Sequence, residues 1–198
     1  YSARAAEYIA LLGTMRAVHP SDRQLVSSWA ELLMGDVIDA GCGPGHWTDF
    51  LRRCRANARG VDQVAEFVNS ARENYPDSKF RVGSLEALDA DNDSVGGVLA
   101  WYSLIHHEPS TIQVPLREFH RVLRPGGELL IGFFEGSALE QFDHAVAPAY
   151  RWPVSALSEE LDAAGFDIIE THTRTTLTQR PHAAIHARHS KRAPSATR

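Results

Sequence analysis

A short apolar run, Val37-Ile38-Asp39-Ala40, leads directly into Gly41-Cys42-Gly43-Pro44-Gly45. About 20 residues further on, a carboxylate, Asp62, closes a second apolar run. Glycines at such a place let the backbone turn sharply and let a ligand approach the main chain with no Cβ in the way. Pro44 stands where a helix should begin, and its missing N–H costs nothing there. A carboxylate at the end of a second strand is placed to accept both hydroxyls of an adenosine ribose. Dinucleotide-binding loops follow G-x-G-x-x-G and set a pyrophosphate on the helix N-terminus. This loop lacks the third glycine at that spacing, and Asp39 would put a negative charge near any phosphate. The chemistry indicated is the binding of a ligand with a ribose, no phosphate and a cationic amino-acid end. The competing reading is a tight strand-to-helix turn that binds nothing. The joint appearance of strand, loop, helix, strand and acid opposes it.

Other residues able to do chemistry are fewer. His106-His107-Glu108 has the residue types of a metal site, but adjacent side chains rarely converge on one ion and the HExxH spacing is absent, so no metal is expected. His182 and His186 share one face of the last expected strand and His189 points the other way, a pattern of surface or core histidines and not of ligands. Cys42 and Cys54 fall on a loop and a helix, with neither metal-ligand spacing nor a disulfide framework, which fits a reducing cytoplasm.

These residues need a scaffold. Residues 3–33 read as two helices broken near His19-Pro20, with Ser21 or Asp22 capping the second. From Asp36 strands and helices alternate. After the first strand, Trp47, Phe50, Leu51 and Cys54 make an i, i+3, i+4, i+7 stripe. A second strand over 59–62 is followed by a helix with Val64, Phe67, Val68 and Ala71 on one face, stopped by Pro76. Strands are expected over 80–83, 95–102 and 128–134, the last entered from a helix carrying Leu116, Phe119 and Leu123. Residues 135–153 read as a long irregular stretch bearing Phe142, His144, Tyr150 and Trp152, and a helix over 155–164 is closed by Gly165. Two final strands, 166–175 and 182–189, have no helix between them and should form an antiparallel hairpin at one edge. Alternation of this kind implies βαβ units and a parallel sheet.

With 198 residues the chain can bury one sizeable core. Its 43% hydrophobic and 23% charged residues fit an ordinary soluble globular protein. A net charge of -5 favours neither nucleic acid nor an acidic membrane surface. No apolar run approaches the roughly 18 residues needed to span a bilayer, so no membrane insertion is expected. The sequence opens at Tyr1 and not at Met, which leaves the true start open.

Residues 37–48, VIDAGCGPGHWT, resemble motif I of the class I (Rossmann-like) S-adenosylmethionine (SAM)-dependent methyltransferases, in particular the small-molecule group related to ubiquinone and menaquinone biosynthesis methyltransferases. The segments Gly60-Val61-Asp62-Gln63, Arg81-Val82-Gly83-Ser84-Leu85, 99–107 (LAWYSLIHH) and 123–134 (LRPGGELLIGFF) resemble later motifs of that family, in its order. The resemblance runs from about Asp36 to His189. It implies a seven-stranded, mostly parallel α/β sheet with the last strand antiparallel and helices on both faces. It implies one domain over 1–198: a helical lid at 1–33, a core at 36–189 and a tail at 190–198. It implies SAM as cofactor, with S-adenosylhomocysteine as product. Cofactor contacts carried over from the motifs are Asp39, Gly41, Cys42 and Gly43 at the methionine part and Asp62 at the ribose. Gln63, Val64, Gly83, Ser84 and Leu85 fall around the adenine, and Trp101, Tyr102 and His106 face the sulfonium end. Many relatives have Asp where Ser84 stands, which weakens the expected hold on the adenine amine. Tyr8 and Arg4 of the first helix are candidates to cover the cofactor, against the simpler reading of an amphipathic helix packed on the sheet.

The resemblance implies methyl transfer to a small-molecule acceptor by a one-step in-line displacement. Positioning supplies much of such a rate, and a base is needed only if the acceptor must lose a proton. Tyr102, His106, His107 and Glu135 are the candidates for that role, and none is singled out. Residues 135–153 follow the fifth strand, where α/β sheets place ligands, and are expected to select the acceptor. Two other readings remain: a non-catalytic module that binds SAM or adenosine, and an NAD-dependent oxidoreductase, which the glycine pattern disfavours.

Overall fold

The computed structural model describes residues 13–144, 148–176 and 180–190. Helix α1 spans Pro20–Ala30, and its N-cap is His19, whose side chain accepts the Ser21 N–H at 3.2 Å. The expected caps, Ser21 and Asp22, therefore lie inside the helix. Pro20 at the first helical position fixes the entry angle and places the cap at His19, two residues upstream of Ser21. Residues 13–18 form turns and bends, and the helix expected ahead of them lies largely outside the described residues.

The alternation then runs β1 (Asp36–Ala40), α2 (His46–Arg53), β2 (Asn57–Asp62), α3 (Ala65–Asn74), β3 (Lys79–Val82) and β4 (Val95–Trp101). Two single 3-10 turns, Leu104–His106 and Pro109–Thr111, precede α4 (Gln113–Val122) and β5 (Leu123–Glu135). A hairpin of β6 (Glu140–Phe142) and β7 (Ala149–Trp152) follows, then α5 (Val154–Ala163), β8 (Phe166–Arg174) and β9 (His182–His189).

Strands β3, β2, β1, β4 and β5 lie side by side and parallel in that order. Strand β9 runs antiparallel to β5, and β8 antiparallel to β9 outside it. This is the expected mostly parallel sheet with its last strand antiparallel and the terminal hairpin at one edge. The strand order reverses between β1 and β4, which makes the gap above their C-terminal ends the place where such sheets receive ligands. Alternate residues of each strand serve opposite faces. Val37, Leu99 and Leu130 meet Val26 and Trp29 of α1 and Trp47 and Leu51 of α2. Ile38, Val98, Leu129 and Ile131 meet Leu116 and Phe119 of α4 and Leu157 and Leu161 of α5.

Three expectations need correction here. Residues 135–153 are not irregular: β6 and β7 pair antiparallel, and β7 adds to β5 through Phe134–Arg151 and Glu135–Trp152. The short strands are split by turns, so no run long enough to show a period of two exists in the sequence. Ser190, assigned to the tail, is buried, and its N–H donates to the Gly165 carbonyl at 2.9 Å. Trp152 is a core residue and not a pocket wall, being 3% exposed beside Phe134 and Ala149. Trp152→Ala should therefore cost about 3–5 kcal/mol of stability, and equilibrium denaturation is the measurement that checks it. A loss under about 1 kcal/mol would return Trp152 to the surface.

Candidate functional site

The loop after β1 is shaped by its glycines. Gly41 has φ +79°, and a Cβ there would stand 2.2 Å from Ser103 Cβ, so only glycine lets the loop press against the segment after β4. Gly43 has φ +51°, and its missing Cβ would point into open space. The Gly41 and Cys42 N–H groups both donate to the Val61 carbonyl, at 2.7 and 3.0 Å, which ties the loop to the end of β2.

Asp62 completes that tie. Its two carboxylate oxygens accept the N–H groups of Gly43 and Val64, each at 2.8 Å. The side chain is nearly buried, and burial raises its pKa above the ordinary carboxylate value, against the lowering effect of the two N–H donors. Each oxygen keeps a lone pair for a further donor from the cleft.

A cleft of about 400 Å³ opens above these ends of β1, β2 and β4. Of the residues expected at the cofactor, Gly41, Gly43, Asp62, Gln63, Val64, Ser84, Leu85, Trp101, Tyr102 and His106 line it, and so does His107. Asp39 and Cys42 do not. Asp39 is 1% exposed and accepts the Thr48 hydroxyl at 2.6 Å beneath the loop. Burial, with the nearby Asp62, pushes its pKa up to about 7 against that hydrogen bond. The Cys42 side chain turns into a small cluster with Val68, Ala71 and Phe80, where burial pushes the thiol up and leaves it inert. Gly83 stands just outside, its N–H donating to the Asp62 carbonyl at 3.0 Å. Ser84 Oγ accepts the Glu86 N–H at 3.1 Å, so part of its capacity toward an adenine is already committed. Tyr8 and Arg4 lie outside the described residues.

The four candidates for a base separate in space. Tyr102 has φ +56°, a strained backbone for a bulky residue, held by its N–H on the Gly132 carbonyl at 2.9 Å. Its hydroxyl is hydrogen-bonded to His182 Nδ1. Burial raises the Tyr102 pKa and lowers that of His182, so the neutral imidazole accepts and the hydroxyl donates. The exposed His106 has Nδ1 2.9 Å from the Pro148 carbonyl, to which it donates. His107 is held below the usual histidine range by burial and lies 3.6 Å from Glu86. Glu135 lies beside Trp152 at the end of β5 and does not line the cleft.

Phe67, Glu86, Ser103, Glu108 and Thr111 also line the cleft and are not among the expected residues. Phe67 carries a signal, since it shares the helix stripe that reads as core. Ser103, Glu108 and Thr111 lie in and around 3-10 turns that have no period to read. Ser103 Oγ is buried and has no hydrogen-bond partner among the described residues. A second cavity of about 240 Å³ lies behind Trp101 and Tyr102, walled by α1, β8 and the start of β9. No group of three or more metal-ligating side chains occurs among the described residues.

The strand order and the glycine loop beside Asp62 define a Rossmann-like class I methyltransferase fold. Residues 37–127 match the family described as "Methyltransferase domain". The chain is similar to malonyl-(acyl-carrier protein) O-methyltransferase of Erwinia billingiae, 29% identical over 62% of this chain and 49% of that protein. It is 28% identical to the ubiquinone biosynthesis O-methyltransferase of Xanthomonas oryzae pv. oryzae over 59% of this chain and 50% of the other. It thus spans about half the length of these curated relatives. In fold it resembles a Burkholderia thailandensis 1,6-didemethyltoxoflavin-N1-methyltransferase with bound S-adenosylhomocysteine, with TM-score 0.74, 22% identity and coverage of 96% of this chain and 89% of that one.

Proposed function

We propose that this protein transfers the methyl group of SAM to a small-molecule acceptor by in-line displacement. The observation that carries the reading is the pairing of an open backbone cradle at Gly43 with a desolvated carboxylate, Asp62, in one cleft. A phosphate would meet that carboxylate at close range, whereas ribose hydroxyls would donate to it. The Ser103 hydroxyl, buried against Gly41 with no hydrogen-bond partner among the described residues, adds a polar group to the cleft wall. These residues fit SAM. Asp62 would hold the ribose, Leu85 and Ser84 the adenine edge, and the Gly41–Gly43 backbone the methionine end.

When bound, SAM supplies a methyl group already activated by its sulfonium. The chain's part is then to exclude water and to hold the acceptor in line, which supplies roughly 7–11 kcal/mol of a barrier. Trp101 and Tyr102 form the wall facing that end of the cleft. A base enters only for an acceptor that must shed a proton. Both curated relatives are named as O-methyltransferases and the structural neighbour as an N-methyltransferase, so the attacked atom is set by what the pocket admits and not by the fold. No helix among the described residues is long and apolar enough to cross a membrane, and a small acceptor agrees with the acidic net charge.

Calorimetry should show S-adenosylhomocysteine binding one to one, and saturation at 100 times Kd should stabilise the fold by about 2.7 kcal/mol. Absence of binding at millimolar ligand would remove the cofactor assignment. Transfer of label from methyl-labelled SAM to members of an acceptor library separates an enzyme from a module that only binds.

A further inference from the structure

Several arginines on and around the sheet are paired. Arg174 meets Asp22 at 2.9 Å, Arg188 meets Glu128 at 2.9 Å and Arg121 meets Glu118 at 2.7 Å. Arg151 and Arg180 differ: both guanidinium carbons stand 4.9 Å from the centroid of the Phe142 ring. Neither has a carboxylate partner within ion-pair distance among the described residues, although Glu140 is the cross-strand neighbour of Arg151. Among the described residues Arg151 Nε is buried and lacks a hydrogen-bond partner, and so does Nδ1 of His144, whose ring also neighbours Phe142. An unsatisfied buried donor costs on the order of a hydrogen bond, which is a reason to expect an acceptor atom from elsewhere.

The rings around this point form a row that ends at the cofactor cleft. Phe142 lies 5.3 Å from Phe134, and Phe134 lies 5.0 Å from Tyr102. His144 touches both Phe134, at 5.7 Å, and His106, at 5.4 Å, and His106 and Tyr102 line the cleft. At its outer end, on Phe142, the row carries two guanidinium groups. Burial, His106 and Arg180 together hold His144 down to about 4, so it is neutral and the two arginines carry the charge.

We propose that the surface between the β6–β7 hairpin and the start of β9 recognises the acceptor by a carboxylate, held by Arg151 and Arg180 beside Phe142, and that the acceptor is a small planar acid lying past His144 and the exposed His106 toward the cleft. The inference rests on the methyl-transfer reading and adds to it the chemical class of the acceptor. Planar guanidinium forks match a carboxylate, and aromatic faces favour a flat body. A doubly charged phosphate ester is disfavoured by Glu140, the cross-strand neighbour of Arg151, and by Glu108 and Asp62 in the cleft.

The probes are 2-naphthoate and its neutral analogue 2-naphthamide, titrated into protein saturated with S-adenosylhomocysteine. The acid should bind at least about tenfold more tightly than the amide. Rising salt should weaken the acid alone. The preference should vanish in the double variant Arg151→Met, Arg180→Met and return in part with lysine at both positions, while S-adenosylhomocysteine affinity stays within about twofold. Loss of the stacked arginines also lowers thermal stability; a merely structural pair would show that loss with no change in the acid-to-amide ratio. Equal binding of acid and amide by the wild-type protein, a preference that survives the double variant, or tighter binding of phenyl phosphate than of naphthoate overturns the proposal. If S-adenosylhomocysteine itself fails to bind, the methyl-transfer reading falls first, and the two failures are told apart by that titration. If the double variant does not fold, Arg180→Met alone, at an exposed position, carries the same test.

Discussion

Asp62→Ala is expected to weaken S-adenosylhomocysteine binding on the order of a hundredfold or more and to destabilise the fold at the same time. Two ribose hydroxyls donating to one carboxylate make two charge-assisted hydrogen bonds, each roughly 1.5–3 kcal/mol. Losing them is worth about 3 kcal/mol, and each 1.4 kcal/mol or so is a decade in Kd. The second effect comes from the apo structure. A carboxylate at a strand end in an open cleft would stay hydrated and contribute little to folding, which is what the sequence suggests. Instead Asp62 is 8% exposed and satisfies the Gly43 and Val64 N–H groups. Removing it strands two backbone donors, partly offset by relief of the carboxylate's own desolvation, for a net cost of about 1–3 kcal/mol. Asp62→Asn keeps one acceptor oxygen and turns a donor toward the other N–H, so it should fall between the two proteins in both measurements. Denaturation and calorimetry on the same variants are the check. Lost stability with unchanged affinity would leave Asp62 as a brace of the glycine loop and nothing more.

The second large effect concerns Asp39 and pH. Its folded pKa stands at about 7 against an ordinary value of 3.8, because burial beneath the loop disfavours the charged form. A carboxyl raised in the folded state contributes stability that is fully present below its unfolded pKa and is lost as pH rises through the folded value. Between pH 4 and pH 7, then, the wild-type protein should lose stability relative to Asp39→Asn, which cannot ionise. Every tenfold difference in proton affinity between the folded and unfolded chain corresponds to about 1.4 kcal/mol, so the gap between the two proteins should change by about 4 kcal/mol across that window and level off above it. Carboxylates other than the neighbouring Asp62 titrate alike in both proteins and cancel in the comparison. A flat difference from pH 4 to pH 8 would mean that Asp39 is ionised in the native state and stabilised by Thr48 Oγ1. The experiment bears on function as well, since Asp39 lies one layer beneath the glycine loop and not in the cleft with the ligand.

How much of the fold and site is legible in the sequence can be read from particular residues. Strand β1, the glycine loop and Asp62 follow from residue type and spacing because they are contiguous or separated by one βαβ unit, whose length the fold fixes. The same holds for the order of the other elements from Asp36 to His189, the β6–β7 hairpin apart, and for the antiparallel final strand, since apolar runs, helix stripes and turn residues are local signals. That Gly41 must be glycine because Ser103 stands against it is not legible, for those two residues lie far apart in the chain and meet only when β1 and β4 pair. The extra hairpin escapes the sequence because three- and four-residue strands are too short to show a period of two. Whether a side chain faces ligand or core is decided by packing from several elements at once. Trp152 goes to the core, Asp39 beneath the loop and Cys42 into the α3 cluster, although their sequence neighbours line the cleft. The sequence by itself determined the class of fold and the glycine loop after β1, because those depend on backbone conformation and on chemistry carried within short segments. Only the tertiary structure decided which groups are buried, which hydrogen bonds occupy Asp62 and Tyr102, and that Arg151 and Arg180 converge on Phe142 from distant parts of the chain, because burial and charge pairing are properties of neighbours in space.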